Sequence, residues 1–165
     1  MQKKFNGKRI VKSYHWEFQA DAKTVFMLLC PTKEIDWIEE WKNIHKLIYS
    51  ESGIAEDACV FVTNVPGEGH AVWLASKYSL ENTNIEYIKH LVEKEVIIRW
   101  SMEVRPLTGN SCTVFILYNI TGLTETGNDF AQMLDEEGFT SLVTRLQKLI
   151  DYYLMTGKKL TLFDA

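Results

Sequence analysis

The chain has 165 residues, a net charge of −4, 46% hydrophobic residues and 24% charged residues. That is the length of one domain with a continuous core, and the composition is globular rather than disordered or fibrous. The acidic balance excludes the basic excess with which nucleic-acid binders neutralise phosphates, and the basic start KKFNGKR reads as a solvated end. No apolar run approaches the ~18 residues of a membrane helix, and the charged N-terminal region lacks the apolar core of a secretory signal. Cys30, Cys59 and Cys112 are far apart and form no CxxC pair. They read as small buried hydrophobes in a reducing compartment, so a cytoplasmic protein without disulfide frame, metal or cofactor is expected.

The first periodic segment is RIVKSYHWEFQ, in which Ile10, Tyr14, Trp16 and Phe18 alternate with Val11, Ser13, His15 and Glu17. A period of two predicts a half-buried strand, with Lys12 marking its exposed beginning. ADAKTVFMLLCP follows as a helix with Asp21 as N-cap and an end enforced by Pro31. A second short helix is predicted from Thr32 as N-cap, placing Trp37 and Trp41 four residues apart on one face. Neither helix is long enough to persist alone in water, so both must be held by packing, and the tryptophans are what they pack with.

Between residues 45 and 122, HKLIYSES, ACVFVTNV, HAVWLASKYSLE, NIEYIKHLVE, EVIIRWSMEV and SCTVFILYNITGL follow one another. Turn signals such as PGEG, ENTN and LTGN, and a tight Glu93-Lys94 reversal, separate them. Short connections predict an antiparallel six-strand meander. Ile98, Trp100, Met102 and Val104 form a clear inward set; Val114, Ile116, Tyr118 and Ile120 alternate in the same way, though Phe115 and Leu117 blur the pattern. One face is then solvated and the other covered. The cover is a long helix from about residue 128 to 156. Its stripe of Phe139, Leu142, Val143, Leu146, Leu149, Ile150 and Tyr153 falls within about 120°. The phase slips near Gly138, where a bend is expected, and Gly157 stands where a C′ glycine belongs.

This order predicts an α+β helix-grip fold. A seven-stranded curved antiparallel sheet wraps around the C-terminal helix, and two short helices after the first strand plug one end. A cylinder fills a curved trough incompletely, so a pocket is expected. The chain resembles the START-like (SRPBCC) superfamily, the polyketide cyclase and hydrophobic-ligand-binding group, over nearly its whole length as one domain. The stretches that carry the resemblance are VFMLLCPTKEIDWIEEW, YSESGIAEDACVFVT, VWLASKYSLENTNIEYI, TVFILYNITGLTETGND and LIDYYLMTG, which are similar to a bacterial branch of it. They are diffuse patterns that specify fold rather than chemistry. The resemblance implies a cavity for lipids, sterols or polyketides, with some members turned into cyclases or dehydratases and others, the Hsp90-activating relatives, into protein-interaction modules.

No catalytic motif accompanies it. His15, His45, His70 and His90 form no metal or triad spacing, and PGEG lacks the Lys-Ser/Thr and helix of a phosphate loop. His15 and His70 read as surface residues. His90 shares parity with Ile88 and Val92 and is the histidine that could reach the pocket. The carboxylates of residues 135–137 read as a solvated helix face. Aromatic inward positions supply contact area, with tyrosine hydroxyls for orientation. The expected ligand-binding set is Trp16, Trp37, Trp41, Trp73, Tyr87, His90, Trp100, Met102, Tyr118 and Leu142, with no catalytic or metal residue. Arg99 is a further polar group if it turns inward. The favoured expectation is a binder of a small hydrophobic molecule, monomeric or homodimeric, without nucleic-acid partner or membrane span. A cyclase- or dehydratase-type enzyme is the alternative, for which the sequence offers as acid or base only His90 or a tyrosine, and a protein-interaction module like the Hsp90-activating relatives is the further alternative.

Overall fold

The computed structural model describes residues 5–161. Strand β1 (Arg9–Phe18) is followed by α1 (Ala22–Leu28), a 3-10 turn (Glu34–Asp36) and the single-turn helix α2 (Trp41–Ile44). Strands β2 (His45–Tyr49), β3 (Val60–Val65), β4 (Gly69–Ser79), β5 (Asn84–Leu91), β6 (Val96–Pro106) and β7 (Cys112–Gly122) come next. Helices α3 (Glu125–Met133) and α4 (Glu136–Thr156) close the chain. The seven strands form one sheet in the order β1-β7-β6-β5-β4-β3-β2. Every neighbouring pair is antiparallel.

Period-two patterning sets the sheet's two faces. On β6, Val96, Ile98, Met102 and Val104 are buried, and on β7 Val114, Ile116, Tyr118 and Ile120 are buried. The register Ile98↔Ile120, Trp100↔Tyr118 and Met102↔Ile116 makes these one continuous inner surface. Asp21 caps α1 as expected, accepting hydrogen bonds from Lys23 N and Thr24 N. The three cysteines are buried free thiols.

The second short helix is not the one the sequence predicts. Thr32 does not cap it; its hydroxyl lies against Cys30 Sγ. Trp37 ends the 3-10 turn and Trp41 starts α2, so the two indoles do not share one helix face. The cause lies in what each ring bonds to. Trp37 Nε1 donates to Leu28 O at 2.8 Å and Trp41 Nε1 to Pro31 O at 2.6 Å, the first carbonyl on the last residue of α1 and the second three residues beyond it. Tying two rings back to that stretch breaks a segment too short to hold helix by itself. Beyond α4, Leu160 forms a parallel bridge to Ile38 and so clamps this segment from the far side.

The C-terminal segment is likewise two helices rather than one bent helix. The break falls at Leu134 and Asp135, and Asp135 caps α4 by accepting from Gly138 N at 2.7 Å. Helix α3 lies across the ends of β6 and β7. A Cβ on Gly127 would stand 2.1 Å from Glu95 O, so only glycine permits this approach. Asn128, 1% exposed, ties the α3 end of the molecule to the entry of β1 by accepting from Lys8 N at 2.7 Å and donating to Asn6 O at 3.1 Å. Helix α4 buries Phe139, Val143, Leu149 and Ile150 and ends at Gly157 (φ 65). Its backbone approaches β1 more extensively than any other strand. The joint is fastened by Trp16 Nε1, which donates to Val143 O at 3.0 Å. A helix seated along one edge of a curved sheet stands off from the central strands. No helix among the described residues is long and apolar enough to cross a membrane.

Candidate functional site

The stand-off is a cavity of about 460 Å³ between the inner face of the sheet and α4. From the sheet come Trp16 on β1, Trp73 on β4, Tyr87 on β5, Trp100 and Met102 on β6, and Tyr118 on β7. Trp37 and Trp41 close one end, and Leu142 and Leu146 form the helix wall. All five tryptophans of the chain border this one space. The rings brace one another. Phe61 stacks on Trp73 with centroids 5.3 Å apart, and Tyr87 meets both edge-on at 5.7 and 6.0 Å. Trp100 and Tyr118 pack edge-to-face at 5.3 Å. Tyr87 is oriented by donating to Leu29 O at 3.2 Å. Braced aromatic walls present a preformed apolar surface, which spares a guest the entropy of ordering it.

His90 is the exception among the residues expected to line the pocket. The β5 faces alternate so that Ile85, Tyr87, Lys89 and Leu91 point inward. His90 therefore sits on the outer face, opposite Val72 and Ile97. Arg99 also faces outward, where its Nε donates to Glu86 Oε2 at 2.7 Å.

The residue that takes the inward place is Lys89, which the sequence reading passed over. Lys89 is only 4% exposed. Its ammonium donates to Glu68 Oε1 and lies 4.5 Å from the Trp73 ring centroid, a cation–π position. Glu68 is delivered by the β3–β4 turn, where Gly67 (φ 84) adopts a backbone that other residues avoid. Glu34, from the 3-10 turn, lines the same cavity. Burial pushes its carboxyl up to about 8, against the opposing pull of the Lys89 ammonium. Burial in turn draws Lys89 below the ordinary lysine range, against Glu68 and Glu34. Tyr87 and Tyr118 are both raised, first by burial and then by the carboxylates Glu34 and Glu68 respectively. A cavity that is otherwise apolar thus holds coupled acid and base groups. The arrangement can remove apolar surface from water, orient a guest by hydrogen bonds, and supply or accept a proton.

No family model and no curated protein matches the chain. Solved structures do. Norcoclaurine synthase from Thalictrum flavum superposes with a TM-score of 0.65 at 13% identity, covering 91% of this chain and 88% of that one. Major latex-like protein 151 from Panax ginseng matches at 0.59 and 14% identity, covering 89% and 97%. A hypothetical protein from Helicobacter pylori matches at 0.63 and 11% identity, covering 92% and 88%. Likeness at such identities establishes the architecture: this is a helix-grip fold.

Proposed function

We propose that this chain binds a small, mainly apolar molecule, a lipid, sterol or polyketide-like compound, in the cavity between the sheet and α4. The observation that carries the reading is a space of about 460 Å³ bordered by every tryptophan of the chain. That volume falls in the ~300–1,000 Å³ range of small-molecule sites. A guest that hides about 200 Å² of apolar surface there gains roughly 5 kcal/mol before the costs of association. The contact residues are Trp16, Trp37, Trp41, Trp73, Tyr87, Trp100, Met102, Tyr118 and Leu142. The test is native mass spectrometry of protein isolated from its own cells, together with thermal shifts on a panel of fatty acids, sterols and aromatic polyketides. A mass adduct or a stabilising class of compound is expected. Absence of both refutes the proposal.

A second reading is favoured by Glu34, Glu68 and Lys89, which place titratable groups in the same cavity. In it the bound molecule is also turned over by acid–base chemistry of the cyclase or dehydratase type, with Lys89 and Glu34 moving the proton. The similar norcoclaurine synthase has been captured in complex with dopamine and hydroxybenzaldehyde. Turnover lost in K89M and E34Q, with ligand affinity retained, supports this reading. Equal turnover in both variants removes it.

A further inference from the structure

The polar inventory of the cavity is lopsided. Four of its five indoles already have acceptors: Trp16 bonds to Val143 O, Trp37 to Leu28 O, Trp41 to Pro31 O and Trp73 to Thr63 Oγ1. The fifth, Trp100, has its Nε1 buried with no partner. Across the cavity Arg145, on α4 between Leu142 and Leu146, also borders the space, and its Nε is buried with no partner. Among the described residues its guanidinium forms no ion pair. Arg145 also borders a groove on the outer side of α4 with Glu136 and Glu137, but Glu136 is engaged by Lys12 at 2.6 Å. Buried polar groups in folded proteins are overwhelmingly paired, and each orphan calls for a reason. An indole N–H and a guanidinium donate and cannot accept. What is missing from this cavity is therefore acceptors, and they have to arrive with the guest.

The charges point the same way. Glu68 is taken by Lys89. Burial raises the Glu34 carboxyl to about 8, which weakens it as a counter-charge at pH 7. Arg145 is left as the charge on the cavity wall without a counter-charge.

Resting on the ligand-binding reading, we propose that the guest is an amphipathic organic anion. It carries a carboxylate or a comparable acidic group on an apolar aromatic or alkyl body. The acidic group is held by the Arg145 guanidinium, Trp100 Nε1 donates to an acceptor on the guest, and the body lies against the aromatic wall.

Matched probes separate this from simple hydrophobic binding. Calorimetric titrations at pH 7 compare 2-naphthaleneacetic acid with its methyl ester and decanoic acid with decanol. The acids are expected to bind wild-type protein at least 10-fold more tightly than their neutral partners. R145M should lower acid affinity at least 10-fold while moving the neutral partners less than 3-fold. R145K, which keeps the charge without the planar fork, should recover part of the loss. The Trp100 indole N–H resonance should move downfield with acid. If acid and neutral partner bind equally, and R145M leaves both unchanged, the inference is overturned while the cavity remains a ligand site. If no probe of either kind binds, the ligand-binding reading falls and this inference falls with it.

Discussion

Glu34 offers a quantitative test through its protonation. The substitution E34Q keeps size and hydrogen-bonding capacity and removes the ionisable group. In the folded chain burial raises the carboxyl from 4.5 to about 8. Below pH 4.5 the folded and unfolded chains are both protonated at this site and it contributes no pH dependence. Above that, the unfolded chain releases the proton and the folded chain keeps it, so wild-type stability falls as pH rises toward 8 and then levels off. At about 1.4 kcal/mol per pH unit the interval sets a ceiling of ~5 kcal/mol. An effective interior dielectric nearer 20 than 4 brings the expected figure to about 2–3 kcal/mol. The glutamine variant lacks this loss. The Lys89 ammonium opposes the rise of the Glu34 carboxyl and is itself held up by Glu34, so the difference between the two proteins reports Glu34 together with its coupling to Lys89. Urea unfolding at pH 5, 6, 7, 8 and 9 should give nearly equal stabilities at pH 5 and an advantage for E34Q that grows to about 2–3 kcal/mol by pH 8. Parallel pH profiles for the two proteins would refute a buried, neutral Glu34.

Three further outcomes follow from named contacts. E68Q leaves Lys89, 4% exposed, without its carboxylate. It should cost about 2–4 kcal/mol at pH 7 by urea unfolding, a loss that narrows at higher pH as the ammonium sheds its proton. G127A drives a Cβ to 2.1 Å from Glu95 O and should cost about 2–3 kcal/mol, lowering the urea midpoint, because both sides of the clash are backbone. D135A removes the acceptor for Gly138 N and should cost about 1 kcal/mol, read as a lower Tm with the helix content of the folded protein unchanged.

The fold was legible where periodicity and turn chemistry agree. The alternation of Ile98, Trp100, Met102 and Val104 fixes the inner face, and the stripe on α4 faces it. Legibility failed where a local pattern met a tertiary demand. The spacing of Trp37 and Trp41 reads as a helix face, yet one indole N–H is drawn to the last carbonyl of α1 and the other to Pro31 O just beyond it, and the chain breaks to let both reach. On β5 both faces carry apolar residues, so alternation alone could not choose between His90 and Lys89, and a buried lysine defies binary patterning. A signal was nonetheless present. The tight turn after β5 pairs Leu91 with Val96 and Lys89 with Ile98, and Ile98 belonged to the clear inward set. Arg145 was passed over as polar, although it lies only ~40° beyond Leu149 on the helical wheel, at the edge of the apolar stripe. Glu34 and Glu68 lie in a turn and a hairpin tip, where no periodicity says which way a side chain faces.

Whether the gap between sheet and α4 admits a guest is read in two-dimensional NMR of the five indole N–H groups, since every tryptophan borders that space. Titration with a naphthalene or decyl compound should shift these indole signals together and saturably, while residues on the outer face such as His90, Phe115 and Leu117 stay in place. Shifts confined to the outer face, or indole signals unmoved by every compound, would contradict a ligand-binding interior.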